Sequence, residues 1–194
     1  MIFKSFVILI ALFSVAQTNA QGLERSSPDC SPNAISNAQE GAESNEGKSL
    51  YLMARYYSTG KCMPGDGAKA LEYYGRAVQI NYPPAFYNLG MILAANQKFR
   101  DAESYFFRGA MLGHRGCELQ LGILYFLVPP PVGNDQKAFG WLSLSASRDD
   151  AIASEAKDML EKVSRRLTDE DKKRASLVFM QLQEKYKAVP AFQD

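Results

Sequence analysis

The sequence predicts an all-α fold, a right-handed helical-repeat solenoid, because two short residue templates alternate along it three times. In the first template, a small residue is followed by an apolar residue at plus four, a small residue at plus five and a Tyr or apolar residue at plus eight. The three copies begin at Ser49, Ala85 and Cys117, which are 36 and 32 residues apart. Repetition at this period is typical of stacked helix pairs.

The second template marks the other helix of each predicted pair. Ala is followed by large apolar residues at plus three and plus four and by a small residue at plus seven, so that all four share one helix face. These copies begin at Ala70, Ala102 and Ala138. Eleven residues after each Ala come Asn81, Gly113 and Asp149. These residue types tolerate the left-handed conformation in which helices often end, which supports the predicted register.

The helices follow in order from the two templates. The predicted pairs are 48–58 with 67–80, 83–95 with 100–112, and 116–127 with 135–147. Two more helices, 151–166 and 169–187, are expected to close the array, because a solenoid needs a polar C-terminal cap. Thr168 and Asp171 predict a capping box at the start of the last helix.

The connections inside the pairs differ in length. The connection in repeat two is four residues shorter than those in repeats one and three. Repeat three carries Pro129, Pro130 and Pro131, which require an extended chain because proline lacks a backbone donor and restricts the residue before it. The loops are therefore expected to differ locally within one regular array.

The first residues predict export. Lys4, the apolar run 6–16 and the small residues ending at Ala20 are typical of a cleaved secretory signal over residues 1–20, with an uncleaved anchor as the alternative. The bacterial periplasm is the expected location, and secretion is the alternative. The rest of the chain divides into an irregular leader with a short helix near 34–42, three repeats, the capping helices and a tail. Their boundaries are 21–46, 47–82, 83–114, 115–150, 151–187 and 188–194.

The composition and the reactive residues predict no catalytic, metal or cofactor site. With 22 basic and 21 acidic residues, the chain is nearly neutral, which argues against nucleic acid or an anionic membrane as the main partner. His114 and Cys117 are three residues apart, a spacing compatible with a thiol–imidazole pair. The favoured interpretation is an exposed turn histidine beside a buried packing cysteine, so no enzyme activity is predicted.

Three cysteines in an exported chain raise the question of a disulfide. Cys117 occupies a small-residue template position and is expected to be a buried, free thiol. Cys30 precedes the array and Cys62 lies in the first connection, where each is accessible to an oxidising compartment. A Cys30–Cys62 bond is therefore predicted, which ties the leader to the first repeat.

These motifs resemble the Sel1-like repeat (SLR) family, relatives of the tetratricopeptide repeats with a longer connection between helices. The family pattern reads A-x3-L-G-x2-Y-x2-G-x-G-V-x2-D-x2-K-A-x2-W-Y-x2-A-A-x2-G. Repeat one matches it at Ala54, Tyr57, Gly60, Asp66, Lys69, Ala70, Tyr73, Tyr74 and Ala77. Repeat two matches at Ala85, Leu89, Gly90, Ala102 and Gly113, and repeat three at Leu121, Gly122, Tyr125, Lys137, Ala138 and Trp141.

The resemblance covers about residues 47–150 and implies three SLR helix pairs that mediate protein–protein interaction. Exported members of this family often act in the bacterial envelope, and the layout here is similar to that of a flagellar-motor accessory protein. Repeat two lacks the Gly-rich connection of the family and repeat three replaces it with prolines, so the shapes of these loops do not follow from the resemblance.

In tetratricopeptide-type arrays, the first helix of each pair lines a concave groove, and positions two and six after its opening small residue point into it. The predicted groove residues, extended by two further positions on the third repeat, are Tyr51, Arg55, Tyr87, Met91, Leu119, Ile123, Phe126 and Leu127. Tyr, Met and Arg are enriched in the cores of protein interfaces. The alternative is that the last four are covered by the C-terminal helices, because an open aliphatic patch is unfavourable in a soluble monomer.

The sequence therefore favours a non-catalytic adaptor that binds an envelope protein or peptide in its concave groove, without membrane insertion after signal cleavage. Two alternatives stay open: an immunity or inhibitor protein for a periplasmic toxin, and a hydrolase acting on peptidoglycan or β-lactams.

Overall fold

The computed structural model describes residues 28–148 and 150–186, and within them it contains nine helices and no strand, which confirms the all-α prediction. The predicted secretory signal, Asp149 and the predicted tail lie outside the described residues. The helices are α1 (Pro32–Glu43), α2 (Gly47–Thr59), α3 (Gly67–Gln79), α4 (Pro83–Ala95), α5 (Phe99–Met111), α6 (Arg115–Leu127), α7 (Asp135–Ala146), α8 (Ala151–Ser164) and α9 (Asp169–Tyr186).

Side-chain caps fix the starts of several helices. Asp66 Oδ1 accepts hydrogen bonds from the backbone N–H groups of Ala68 and Lys69 at 3.0 and 3.1 Å, which satisfies two free donors of α3. At the start of α9, Thr168 Oγ1 accepts from the N–H of Asp171, whose carboxylate accepts from the N–H of Thr168 in return. This reciprocal pair confirms the predicted capping box.

Residues in the left-handed backbone conformation follow α3 and α5, as the turn pattern predicts. Asn81 has a φ of 59° and Gly113 a φ of 83°. Beyond Asn81, the N–H of Tyr82 donates to the carbonyl of Ala77 at 2.9 Å, so the chain turns back with its last carbonyls satisfied. Gln97 follows α4 in the same conformation, with a φ of 60°, although the residue pattern gives no indication of it there.

The small template residues lie where paired helices approach closely. A Cβ atom placed on Gly90 of α4 would lie 2.5 Å from the Phe106 ring of α5. A Cβ atom on Gly122 of α6 would lie 2.6 Å from Cγ of Leu142 on α7. In each case, the small residue on the first helix of the pair receives a large template residue of the second, which explains why both templates recur together.

We expect Gly90→Ala to destabilise the protein by about 1–3 kcal/mol, because the added methyl group overlaps a ring that is closely packed on all sides. Gly75→Ala is the matched control: it also lies inside a helix, but a Cβ atom there meets nothing within 4 Å. Helix propensity favours this control by roughly 0.5–1 kcal/mol. Urea unfolding monitored by circular dichroism measures both, and equal effects of the two substitutions would contradict the packing explanation.

The predicted leader is more regular than expected, because residues 32–43 form the full helix α1 and pack against α2. Its side chains Ala38 and Ala42 are buried, and their small size brings the two helices close together. Arg76 of α3 donates to the carbonyl of Ala42 and, at 2.8 Å, to the side chain of Asn45. The short helix expected near 34–42 is thus observed as α1, with slightly wider bounds.

The predicted disulfide is present and joins Cys30 to Cys62, with their Cα atoms 4.9 Å apart. The hydroxyl of Tyr56 on α2 also donates to the carbonyl of Asp29 at 3.0 Å. Cys117 is the free cysteine and is fully buried, as predicted. Residues 28–31, the described part of the chain before α1, are thus held to the first repeat by this bond and this hydrogen bond.

At the other end of the array, α9 packs chiefly against α7 and not against its sequence neighbour α8. Gly140 of α7 permits this contact, because the side chain of Val178 occupies the space that a Cβ atom would need. Gln136 of α7 donates to the Asp171 carboxylate at 3.2 Å. Helix α9 therefore covers the side of repeat three that α7 forms.

Candidate partner-binding surface

Tyr51 lies at the centre of a side-chain cluster that joins the first two repeats. Its ring centroid is 6.1 Å from that of Tyr74 and 5.6 Å from that of Tyr82. Its hydroxyl accepts a hydrogen bond from Nδ2 of Asn88 on α4 at 3.4 Å, and the Arg55 guanidinium lies 5.9 Å from its ring. The structure thus joins the predicted groove residues of α2 to α4 through Asn88, a residue that the template did not select.

The predicted groove residues differ widely in exposure. Arg55, Met91 and Leu127 are half-buried, whereas Tyr51 and Tyr87 keep only 6% and 7% of their surface exposed. Leu119, Ile123 and Phe126 are buried. Tyr51 thus lies beneath the more exposed side chains of Arg55 and Asn88, which it contacts.

The aliphatic end of the predicted groove belongs to the core, because α8 packs over α6. Leu119 is 1% exposed and Ile123 is fully buried, so neither is accessible to a partner. Beyond α8, the guanidinium of Arg166 lies 3.9 Å from the Phe126 ring and donates to the Phe126 carbonyl at 3.1 Å. This arrangement corresponds to the alternative in which the C-terminal helices cover the third repeat.

A partly buried ionic cluster joins α8 to α6 and α7. Arg115 at the start of α6 donates to both carboxylate oxygens of Asp150, the N-cap of α8, at 2.9 and 3.0 Å. The same guanidinium donates to the Ser145 carbonyl of α7 at 3.1 Å and to Glu118 at 3.2 Å. Arg148 contacts the second oxygen of Glu118 at 3.5 Å. Three helices are thus joined through one side chain.

The two carboxylates of this cluster titrate differently. Burial raises the pKa of Glu118, and the guanidinium groups of Arg148 and Arg115 offset only part of that effect. Burial also acts to raise the pKa of Asp150, but hydrogen bonds from Arg115 and from the N–H of Ala153 outweigh it, so the pKa is lowered. Of the two carboxylates, Glu118 is therefore the one whose ionised form depends more on the neighbouring guanidinium groups.

His114 is buried, so the expectation of an exposed turn histidine was wrong. The side chain is 4% exposed, its ring centroid is 5.4 Å from that of Tyr87, and its Nδ1 accepts the N–H of Cys117 at 3.3 Å as the N-cap of α6. Burial lowers the pKa of His114 to about 4 and raises the pKa of the Cys117 thiol well above its usual value. The imidazole therefore caps a helix and does not activate the thiol.

The burial of His114 predicts a loss of stability in mild acid. The unfolded chain protonates this residue near its ordinary pKa of 6.5, whereas the folded chain resists protonation down to about 4. Stability should therefore fall as the pH is lowered through this window, by about 3 kcal/mol in total. His114→Asn keeps a capping acceptor without a titrating ring, and it should show a flatter curve in urea unfolding between pH 7 and pH 4. Parallel curves for the two proteins would refute this assignment.

An open cavity of about 580 Å³ lies beside the second repeat, at the connected ends of α4 and α5. Its apolar lining comes from three helices and consists of Leu71, Leu89, Ile92, Leu93 and Tyr105. Polar and charged side chains complete the lining, namely Asn96, Lys98, Asp101 and Ser104. A mainly apolar concavity with a few polar groups is the usual form of a recognition site.

The shortened connection of repeat two explains this cavity. Residues 60–66 and 128–134 connect the helices of repeats one and three, but only residues 96–98 connect α4 to α5. The longer connections place Met63 and Val132 against the core. Repeat two has no such residues, so the side chains at the end of α4 stay open. The length difference was visible in the sequence, whereas its consequence was not predicted.

Residues 28–148 and 150–186 contain no helix long and apolar enough to span a membrane and no group of three or more His, Cys, Asp or Glu side chains placed to hold a metal ion.

No family model and no curated protein matches the sequence. A Sel1 repeat protein from Oxalobacter formigenes has a similar structure, with a TM-score of 0.57 and 20% identity over 66% of this chain and 97% of that one. A protective antigen present in uropathogenic Escherichia coli strains, displaying an SLR fold, has a TM-score of 0.44 and 18% identity. That match covers 96% of this chain but 49% of the antigen, so the chain spans about half its length. The first likeness identifies the fold as the helical-repeat solenoid of a Sel1 repeat protein.

Proposed function

We propose that the protein belongs to the SLR family and is a non-catalytic adaptor exported to the bacterial periplasm, where it binds an envelope protein or peptide. The secretory signal that the sequence predicts over residues 1–20 supports export. The Cys30–Cys62 disulfide supports an oxidising compartment, because such bonds rarely persist in the cytosol.

The observation that carries the proposal is the open side of α4. On this helix, Asn88 and Met91 are partly exposed, and Ile92 lines the neighbouring cavity. Apolar surface of this kind, left uncovered by the rest of the chain, marks an interaction site. The partner that fits is an extended segment with one or two apolar side chains for the cavity and polar groups for Lys98 and Asp101.

Catalysis is not proposed because the two most reactive side chains are inaccessible. Cys117 is fully buried with a raised thiol pKa, and the His114 ring points its Nδ1 at a backbone N–H. A thiol nucleophile needs an accessible thiolate and a base within hydrogen-bond reach. A substrate can reach neither group here.

The experiment is affinity capture from a periplasmic extract, followed by a binding measurement with a purified peptide from the captured protein. Leu71→Arg places a charge at the mouth of the cavity, where Leu71 is 48% exposed, so the fold should persist. We expect this change to weaken peptide binding by at least about 10-fold, a loss of about 1.4 kcal/mol.

Ile80→Arg is the matched control, because Ile80 follows the same helix, is 46% exposed and does not line the cavity. It should bind like the wild type. Equal binding by the wild type and Leu71→Arg would overturn the cavity as the binding site. The purified protein should not hydrolyse peptidoglycan or a β-lactam. If it does, and if one substitution in this cavity abolishes the turnover, the protein is a hydrolase and the adaptor proposal is wrong.

A further inference from the structure

Helix α9 has apolar side chains on two opposite faces. On one face, Ala175, Val178 and Leu182 pack towards α7. On the opposite face, Leu177 is 59% exposed and Met180 is 61% exposed. These two are the most exposed large apolar side chains among the described residues, although the helix is already anchored by its other side. An exposed pair of this size on a capping helix indicates a contact that the single chain does not supply.

Two unpaired charges flank this apolar pair. Lys173, Leu177, Met180 and Glu184 are spaced by four, three and four residues, so they form one stripe along the helix, with the spacing of a coiled-coil seam. Within the described residues, Lys173 and Glu184 form no ion pair. Their neighbours do: Lys172 contacts Asp169, and Arg174 contacts Glu170, both within the helix. The stripe therefore presents a positive end, an apolar centre and a negative end.

We infer that this stripe docks against the same stripe of a second copy, antiparallel and around a two-fold axis. In that register, Leu177 faces Met180 of the partner subunit, and Met180 faces the partner subunit's Leu177. Lys173 then faces Glu184 of the partner subunit, and Glu184 faces the partner subunit's Lys173. A two-fold contact requires a self-complementary surface, and this order of charges is its own complement when reversed. Parallel pairing places like charges opposite each other and is excluded by repulsion.

The dimer is weak and reversible. It buries four apolar side chains and forms two exposed ion pairs, whereas a standard stable interface buries about 800 Å² on each side. Exposed ion pairs contribute roughly 0.2–1 kcal/mol each, so they fix the register more than they add affinity. This contact lies at the C-terminal cap, on a different part of the array from the α4 cavity, and it does not depend on the proposed adaptor function.

The test is sedimentation equilibrium of the mature disulfide-bonded chain at protein concentrations up to about 1 mM, the range in which a weak contact of this kind is measurable. Lys173→Glu places acidic side chains against Glu184 of the partner subunit, and Glu184→Lys does the same with basic ones. Each variant alone should associate at least about 10-fold more weakly than the wild type. An equimolar mixture of the two should recover association, because each then supplies the charges that the other lacks. The double variant Lys173→Glu with Glu184→Lys should also associate like the wild type.

Lys157→Glu on the exposed surface of α8 is the control for net charge and should not change association. Thermal unfolding of each variant, followed by circular dichroism, separates loss of association from loss of the fold. A wild type that stays monomeric at the highest concentration would overturn the inference. The same conclusion follows if the two single variants associate like the wild type, or if their mixture does not recover association.

Discussion

Arg115→Met is expected to lower the free energy of unfolding by about 3–5 kcal/mol, one of the two largest effects that the structure predicts. The substitution keeps most of the buried aliphatic volume but removes the guanidinium that holds Asp150, Glu118 and the Ser145 carbonyl. Glu118 is then buried with only the longer contact to Arg148, which cannot offset its loss of hydration. Urea unfolding at pH 7 measures the change.

A double-mutant cycle separates the charge effect from packing. In a Glu118→Gln background, Arg115→Met should cost less, because no buried carboxylate is left without its hydrogen-bonded guanidinium. Arg165→Met is the matched surface control, since Arg165 and its partner Glu161 are both largely exposed, and it should cost no more than about 1 kcal/mol. Equal losses for Arg115 and Arg165 would show that the buried cluster does not hold α8 in place.

Replacing both Cys30 and Cys62 with Ser should lower the free energy of unfolding by about 3–4 kcal/mol. The bond joins residues 32 positions apart, so its removal restores conformational freedom to the unfolded chain between them. Urea unfolding with and without reductant measures the effect. The reductant should destabilise the wild type by a similar amount and leave the double variant unchanged.

Thiol counting gives an independent check on this bond. The unfolded, unreduced wild type should show one reactive thiol, that of Cys117, and Cys30→Ser should show two. A smaller stability loss than expected, with the thiol count as predicted, would mean that the docking of Ala38 and Ala42 fixes α1 without the covalent bond. Three reactive thiols in the wild type would contradict the disulfide itself.

The helices were predictable because their determinants are local. The templates starting at Ala85 and Ala102 locate α4 within its observed bounds and α5 within one residue, since residues three and four apart must share a packed face. Asn81 and Gly113 mark helix ends through their own backbone preferences. The disulfide was also predictable, because Cys117 occupies a template position and only two cysteines remain.

The candidate site was less predictable because exposure depends on residues far away in the sequence. Leu119 and Ile123 occupy groove positions in the template, but both are buried in a helix on which α8, a later element of the chain, packs. The cavity beside α4 exists because of a shorter connection, and its lining includes Leu71 from the preceding repeat. His114 follows a turn glycine, which suggests exposure, yet the Tyr87 ring covers it. No template position encodes these contacts.

The packing of α9 on α7 has a consequence for the order in which the molecule is completed. A chain is synthesised from its N-terminus, and each of the first two repeats can close its own helix pair as soon as its second helix exists. The third pair can close in the same way, but the space beside Gly140 on α7 is filled only by Val178, from a helix that begins at Asp169. Every chain that stops before that helix therefore carries an open face on α7, however well its first two repeats are formed. Cellular quality control that recognises exposed apolar surface can therefore distinguish, at this face of α7, a chain that includes α9 from one that does not.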